Sequence, residues 1–144
     1  MLIIGVGNEM RGDDAAGLYA ARALNKLGIS AIESNGDGAA LMELWKNEAE
    51  VIVIDAARSG SPPGTIHRFE AHRNTFPADV LLFSTHLMGL PEAIELSRAL
   101  GELPKTLIVY GIEGKSFEIN QPISPEASLG VGRFINATAE TLRR

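Results

Sequence analysis

Three short runs of branched apolar residues constrain this chain most: LIIGV at Leu2–Val6, VIVI at Val51–Ile54 and TLIVYG at Thr106–Gly111. None alternates polar with apolar residues, so each reads as a strand covered on both faces, and such strands belong in a parallel sheet. Amphipathic segments fall between them. Ala15 to Leu27 places Ala16, Ala20, Ala23, Leu24 and Leu27 on one helical face, with Gly28 as the stop. A weak strand at Ala31 to Glu33 precedes an NGDG turn, in which Asp37 is placed to cap a helix from Ala39 to Lys46 that Trp45 anchors to the sheet. After the SGSPPG turn, Thr65 to Phe69 reads as an edge strand.

His86 to Leu100 carries an apolar stripe of Leu87, Leu90, Ile94, Leu96 and Leu100, stopped by Gly101, with Glu92 and Glu95 on its solvated face. Ser124, Pro125 and Glu126 supply a cap, a first-turn proline and a first-turn acid for a last helix through Ala127, Val131, Phe134, Ile135 and Leu142. The alternation predicts one domain over residues 1–144, a three-layer α/β/α sandwich with a mostly parallel, doubly wound sheet of about five strands.

Composition removes whole classes of chemistry. With 0 cysteines there is no disulfide, thiolate nucleophile or cysteine metal site, so a metal would rest on Asp, Glu and the histidines His67, His72 and His86. The 18 acidic against 13 basic residues leave a net charge of −5, which argues against nucleic acid as the partner. Arg143 and Arg144 suit a helix C-terminus. No run approaches the roughly 18 apolar residues of a membrane span, and the opening MLIIGVGN lacks a basic flank, so the expected compartment is the cytoplasm.

Ligands of open α/β sheets gather beyond the carboxyl ends of the strands. There the sequence places Asp13 and Asp14 after the first strand, Asp37 after the second, Asp55 at the end of the third, and His86 at a loop-to-helix junction. Two carboxylates and an imidazole suit a divalent cation of borderline hardness. Asp14 is equally suited to capping the first helix, and His86 to opening its own. Asp55 is harder to explain without a site, because a carboxylate straight after VIVI needs a partner. His67 and His72 are expected in solvent, and Met10, Met42 and Met88 in packing roles. The loop GVGNEMRGDD is not a dinucleotide fingerprint: Met10 stands where a glycine is required, and two acids open the helix where a pyrophosphate would dock.

Four segments, GVGNEMRGDDAAG (Gly5 to Gly17), VIVIDAARSGSPPGTIHRFE (Val51 to Glu70), STHLMGLPEAIEL (Ser84 to Leu96) and VYGIEGKSFEINQPISPE (Val109 to Glu126), together resemble the hydrogenase maturation proteases in motif and order. The resemblance implies an endopeptidase that removes the C-terminal extension of a nickel-loaded hydrogenase large-subunit precursor. It implies metal ligation by Asp14, Asp55 and His86, with the divalent metal being nickel supplied by the substrate, and hydrolysis assisted by that metal. Asp37 is the candidate carboxylate for proton transfer. Many members carry Asp-Gly-Gly where this chain has Asn35-Gly36-Asp37-Gly38, and Glu where Asp14 stands. Two alternatives remain: a phospho-acceptor module resembling response-regulator receivers, with Thr85 and Lys105 near the acids, and a non-catalytic member that binds only metal or a hydrogenase subunit.

Overall fold

A computed structural model describes residues 1–77 and 81–143. In chain order the elements are β1 (Leu2–Val6), a 3-10 turn (Gly12–Ala15), α1 (Ala16–Lys26), β2 (Ile32–Ser34), α2 (Gly38–Trp45), β3 (Glu50–Arg58), β4 (Ile66–Glu70), β5 (Leu81–Leu82), α3 (Leu90–Ala99), β6 (Thr106–Glu113) and α4 (Pro125–Leu142). The main sheet runs β2-β1-β3-β6-β4. Its first four strands are parallel, β4 is the antiparallel edge beside β6, and the two-residue β5 pairs antiparallel with the far end of β3. The doubly wound sandwich predicted from the alternation is the fold observed.

Period-two alternation along the central strands sorts the core into two layers. Ile3, Ile52 and Ile54 face one way and pack with Ala16, Ala20 and Leu24 of α1 and Phe134 of α4. Ile4, Val6, Val51 and Val53 face the other way, toward Leu41 and Trp45 of α2 and Leu90 and Ile94 of α3. Trp45 is buried as expected and donates its indole N–H to Ser97 Oγ at 3.0 Å, which joins α2 to α3. Gly28 and Gly101 close α1 and α3 at φ +80° and +70°, conformations that disfavour any side chain. Gly17 brings α1 against the sheet so tightly that a methyl group there would overlap the Val6 and Ile54 carbonyl oxygens.

Several local readings change. The helix expected from His86 begins at Leu90, because Gly89 and Pro91 set its first turn, with Glu92 accepting from the Gly89 N–H at 2.8 Å. Leu87, counted in the apolar stripe, is therefore fully exposed in the preceding loop, and Leu96 and Leu100 are also exposed. Met10 is 60% exposed on a loop rather than packed. Strand β3 runs past Ile54 to Arg58, since β6 accompanies it as far as Glu113. Arg143 closes α4 as its C-cap, whereas Arg144 lies outside the described residues.

Candidate active site

The chain passes from β1 outward to β2 and then returns to β3 on the other side of β1. This reversal opens a crevice above the carboxyl ends of β1 and β3, the place where such sheets bind ligands. A small cavity of about 10 Å³ lies there, lined by Gly7, Asp14, Asn35, Asp55, Phe83 and Ser84 among others. That is room for one water-sized body. A larger depression of about 540 Å³, lined by Met1, Ile3, Gly28, Ile29, Ser30, Leu142 and Arg143, opens near the amino ends of the strands and offers neither a carboxylate nor an imidazole side chain.

Asp55 and Asp14 reach the cavity from different elements. Asp55 is set in β3, beyond the pairing with β1, and is 2% exposed. Its Oδ1 accepts only its neighbouring Ala56 N–H, at 2.8 Å, among the described residues. Burial raises its pKa well above the ordinary 3.8, the negative Asp14 raises it further, and the Ala56 N–H opposes both. Asp14 sits in the 3-10 turn, 4% exposed, held by the tight packing of Gly7 on its carbonyl. Its carboxyl is pushed up to about 6, first by burial, against the pull of Arg11, the Asn8 N–H and His86. It does not cap α1, whose N-cap Ala15 receives no side-chain bond. The helix-cap reading of Asp14 therefore falls away.

His86 comes in on the loop before α3, half-buried, its Cδ2 edge beside Gly36. Its Nε2 lies 2.9 Å from the Asn35 carbonyl oxygen, an atom that can only accept, so Nε2 carries the hydrogen and the neutral ring keeps its lone pair on Nδ1. Among the described residues, no three Asp, Glu or His side chains are close enough to share a metal ion. Asp14 and Asp55 face one cavity, and His86 flanks it with its ring turned to the backbone.

The other predicted acids go elsewhere. Asp37 does not line the cavity; its Oδ2 accepts the Ala40 N–H at 3.0 Å as the cap of α2, while its own N–H is held by Asn35 Oδ1 at 3.0 Å. Asp13 points away altogether. It accepts from Ser124 N at 2.6 Å, Lys115 N at 2.7 Å, Ser124 Oγ at 2.8 Å and Ser116 N at 3.3 Å, tying the 3-10 turn to the loop between β6 and α4. Of adjacent aspartates on so short a turn, one faces the crevice and the other the loop.

Sequence reasoning missed a buried polar cluster at the end of β6. Glu113, 2% exposed, accepts from Ser59 N at 2.8 Å, Ser59 Oγ at 2.7 Å and His67 Nε2 at 3.0 Å. Burial alone would raise its pKa, but the two Ser59 donors and His67 prevail and hold it below the ordinary value. The signal was the one that marked Asp55, a carboxylate ending an apolar strand, hidden because β6 extends beyond Gly111. His67 is consequently not a solvent residue. Nor is His72, whose Nδ1 takes the Leu107 N–H at 3.1 Å.

A hydrogenase maturation protease family model matches residues 21–141. The hydrogenase 2 maturation protease of Escherichia coli is 32% identical over 99% of this chain and 90% of its own length. The hydrogenase expression/formation protein HupD of Thiocapsa roseopersicina is 27% identical over 78% of the chain, which spans about half (53%) of that longer relative. Among solved structures, the [NiFe] hydrogenase maturation protease HybD of Thermococcus kodakarensis superposes with a TM-score of 0.77 at 27% identity, covering 98% of this chain and 97% of that one. These likenesses lend nothing to a receiver-like module, whose acid pair would follow β1 directly, whereas here the loop from Gly7 to Arg11 intervenes. Family model, sequence relatives and fold agree: this chain belongs to the hydrogenase maturation proteases, a family of endopeptidases.

Proposed function

We propose that this protein removes the C-terminal extension of a hydrogenase large-subunit precursor in the cytoplasm, and that it recognises nickel already bound in that precursor through Asp14, Asp55 and His86. The observation that carries this reading is the pair of buried carboxylates on one water-sized cavity. Both have raised pKa values, and neither forms an ion pair with a cation among the described residues. Leaving two acids so placed is costly for folding alone, and a divalent cation brought by the substrate relieves the cost when it docks. Two hard oxygen donors and the Nδ1 lone pair of His86 form a donor set that nickel accepts while keeping positions for its other ligands.

A cation held between the substrate and Asp14, Asp55 and His86 would supply Lewis-acid polarisation of the scissile carbonyl or of a water molecule. The chain's own part is to hold the carboxylates in a buried crevice, orient the His86 ring through the Asn35 carbonyl, and receive a proton on a carboxylate oxygen. Asp37 is assigned to positioning: by capping α2 and engaging Asn35 it fixes the turn against which His86 rests.

Processing of a nickel-loaded precursor, followed by the mobility shift of the shortened large subunit, tests the site. Asp55→Ala and His86→Ala are each expected to abolish the shift while retaining a cooperative unfolding transition. Cleavage at the wild-type rate by either folded variant would remove that residue from the site.

A further inference from the structure

We infer that Arg11 and Arg58 form a carboxylate-binding subsite at the mouth of the Asp14–Asp55 cavity, which engages an acidic group of the peptide substrate. The inference rests on the proteolytic reading above and extends it to substrate recognition. Phe83, which lines the cavity, stacks on Phe117 with ring centroids 4.4 Å apart. The Arg11 guanidinium carbon lies 5.6 Å from the Phe83 centroid, and that of Arg58 lies 5.8 Å from Phe83 and 5.2 Å from Phe117. The aromatic pair thus holds two cations together at the edge of the catalytic crevice, in a chain whose net charge is −5.

Neither arginine forms an ion pair with a carboxylate among the described residues, a state shared with Arg133, whereas Arg22, Arg68, Arg73, Arg98 and Arg143 all do. Arg11 Nε is moreover buried with no hydrogen-bond partner, the only such side-chain atom among the described residues. A buried donor without an acceptor is costly and rare, and a guanidinium fork is shaped for the two oxygens of a carboxylate. Asp14 does not satisfy it: the two interact through charge, with no hydrogen bond between them in the structure. With Nε packed inward, the outer part of the half-buried Arg11 guanidinium and the exposed Arg58 are left to take a carboxylate from the substrate, either an acidic side chain near the scissile bond or the terminal carboxylate of the extension.

The test measures affinity rather than turnover. A nickel-loaded precursor that the wild-type protein cleaves is titrated against wild type, Arg58→Gln and Arg11→Gln/Arg58→Gln. The titration is repeated with the acidic residues of the extension changed to amides, and with the terminal carboxylate amidated. Arg58 is exposed at a strand end, so the single variant keeps the core intact should the double variant unfold. Binding about tenfold weaker in the variants, with loss of the discrimination against one of the two amide forms, supports the subsite, and the form discriminated identifies which carboxylate is read. In parallel, the Arg11 Nε–H NMR signal is followed while a synthetic extension peptide and its fully amidated counterpart are added, and it is expected to move only with the acidic peptide.

Equal affinity of wild type and variants for a precursor that is still cleaved overturns the subsite and leaves the protease reading standing. A responding Arg11 signal in a protein that cleaves no nickel-loaded precursor overturns the protease reading alone. A signal that ignores both peptides overturns the subsite.

Discussion

Replacing Asp14 by asparagine should stabilise the folded protein in neutral and alkaline solution while abolishing processing. The side chain is 4% exposed, and its carboxyl moves from the ordinary 3.8 to about 6 on folding, chiefly through burial. A displacement of that size disfavours the charged form by at most about 3 kcal/mol, since a tenfold change in proton affinity is about 1.4 kcal/mol. Water reaching the crevice mouth screens part of this, so about 1–2 kcal/mol is the realistic gain. Asparagine keeps the shape and an acceptor for the Asn8 N–H, and it drops the charge that also raises Asp55.

The sign follows from proton binding. Between pH 3.8 and about 6 the native Asp14 holds more proton than the unfolded one, so the native state loses stability as pH rises through that window. The wild type therefore carries the full cost above the window and none below it. Urea unfolding of wild type and Asp14→Asn, in chelator so that stray cations do not neutralise the pair, should show a gain of about 1–2 kcal/mol in the variant at about pH 8 that shrinks steadily toward about pH 4. A variant less stable at the higher pH, or a gain that does not change with pH, would refute the electrostatic account.

Three further outcomes are expected. Asp13→Ala strands three backbone N–H groups and the Ser124 hydroxyl, and should cost about 3 kcal/mol in urea unfolding; a loss under about 1 kcal/mol would mean that water replaces the carboxylate. Glu113→Gln should destabilise by about 1–3 kcal/mol near neutral pH because its charge is held by Ser59 and His67, and since its native pKa is depressed, the difference should fade as acid protonates the wild-type carboxylate; a constant difference down to low pH would argue for packing instead. Gly17→Ala forces α1 away from the Val6 and Ile54 carbonyls, and a melting temperature within a few degrees of wild type would show that the helix can slide at little cost.

The sheet could be read from the chain because parallel strands buried on both faces leave unbroken apolar runs, and the helices between them keep their stripes. Where reading failed, a tertiary partner had overruled a local pattern. Leu87 continues the apolar spacing of α3 but falls in its approach loop, since Gly89 and Glu92 place the helix start three residues beyond it. Asp13 and Asp14 are indistinguishable as neighbours in sequence, and only the β6–α4 loop, contributing three backbone N–H groups and a serine hydroxyl, decides that Asp13 is structural and Asp14 faces the crevice. Spacing carries no record of a partner more than one hundred residues away, as in the bond from Ser116 to Asp13 (sequence separation 103).

The three histidines show how the same residue type is divided among tasks by its acceptors. His67 completes the shell of Glu113, and His72 takes a backbone N–H of β6, so each is spent on the fold. His86 is the one that stands beside the Asp14–Asp55 cavity, and its bond to the Asn35 carbonyl fixes which ring nitrogen it leaves free. A protein built to retain its own metal would draw this ring onto the carboxylates, since tight sites align all their ligands beforehand. Here Asp14 and Asp55 share the cavity and His86 stands beside it, which fits the proposed brief engagement of a cation carried by the substrate. Titration of the isolated protein with nickel chloride should accordingly give a dissociation constant in the micromolar range or weaker, and Asp55→Asn should weaken it further. Nickel that stays bound through exchange into chelator would mean that the metal belongs to this chain and not to its substrate.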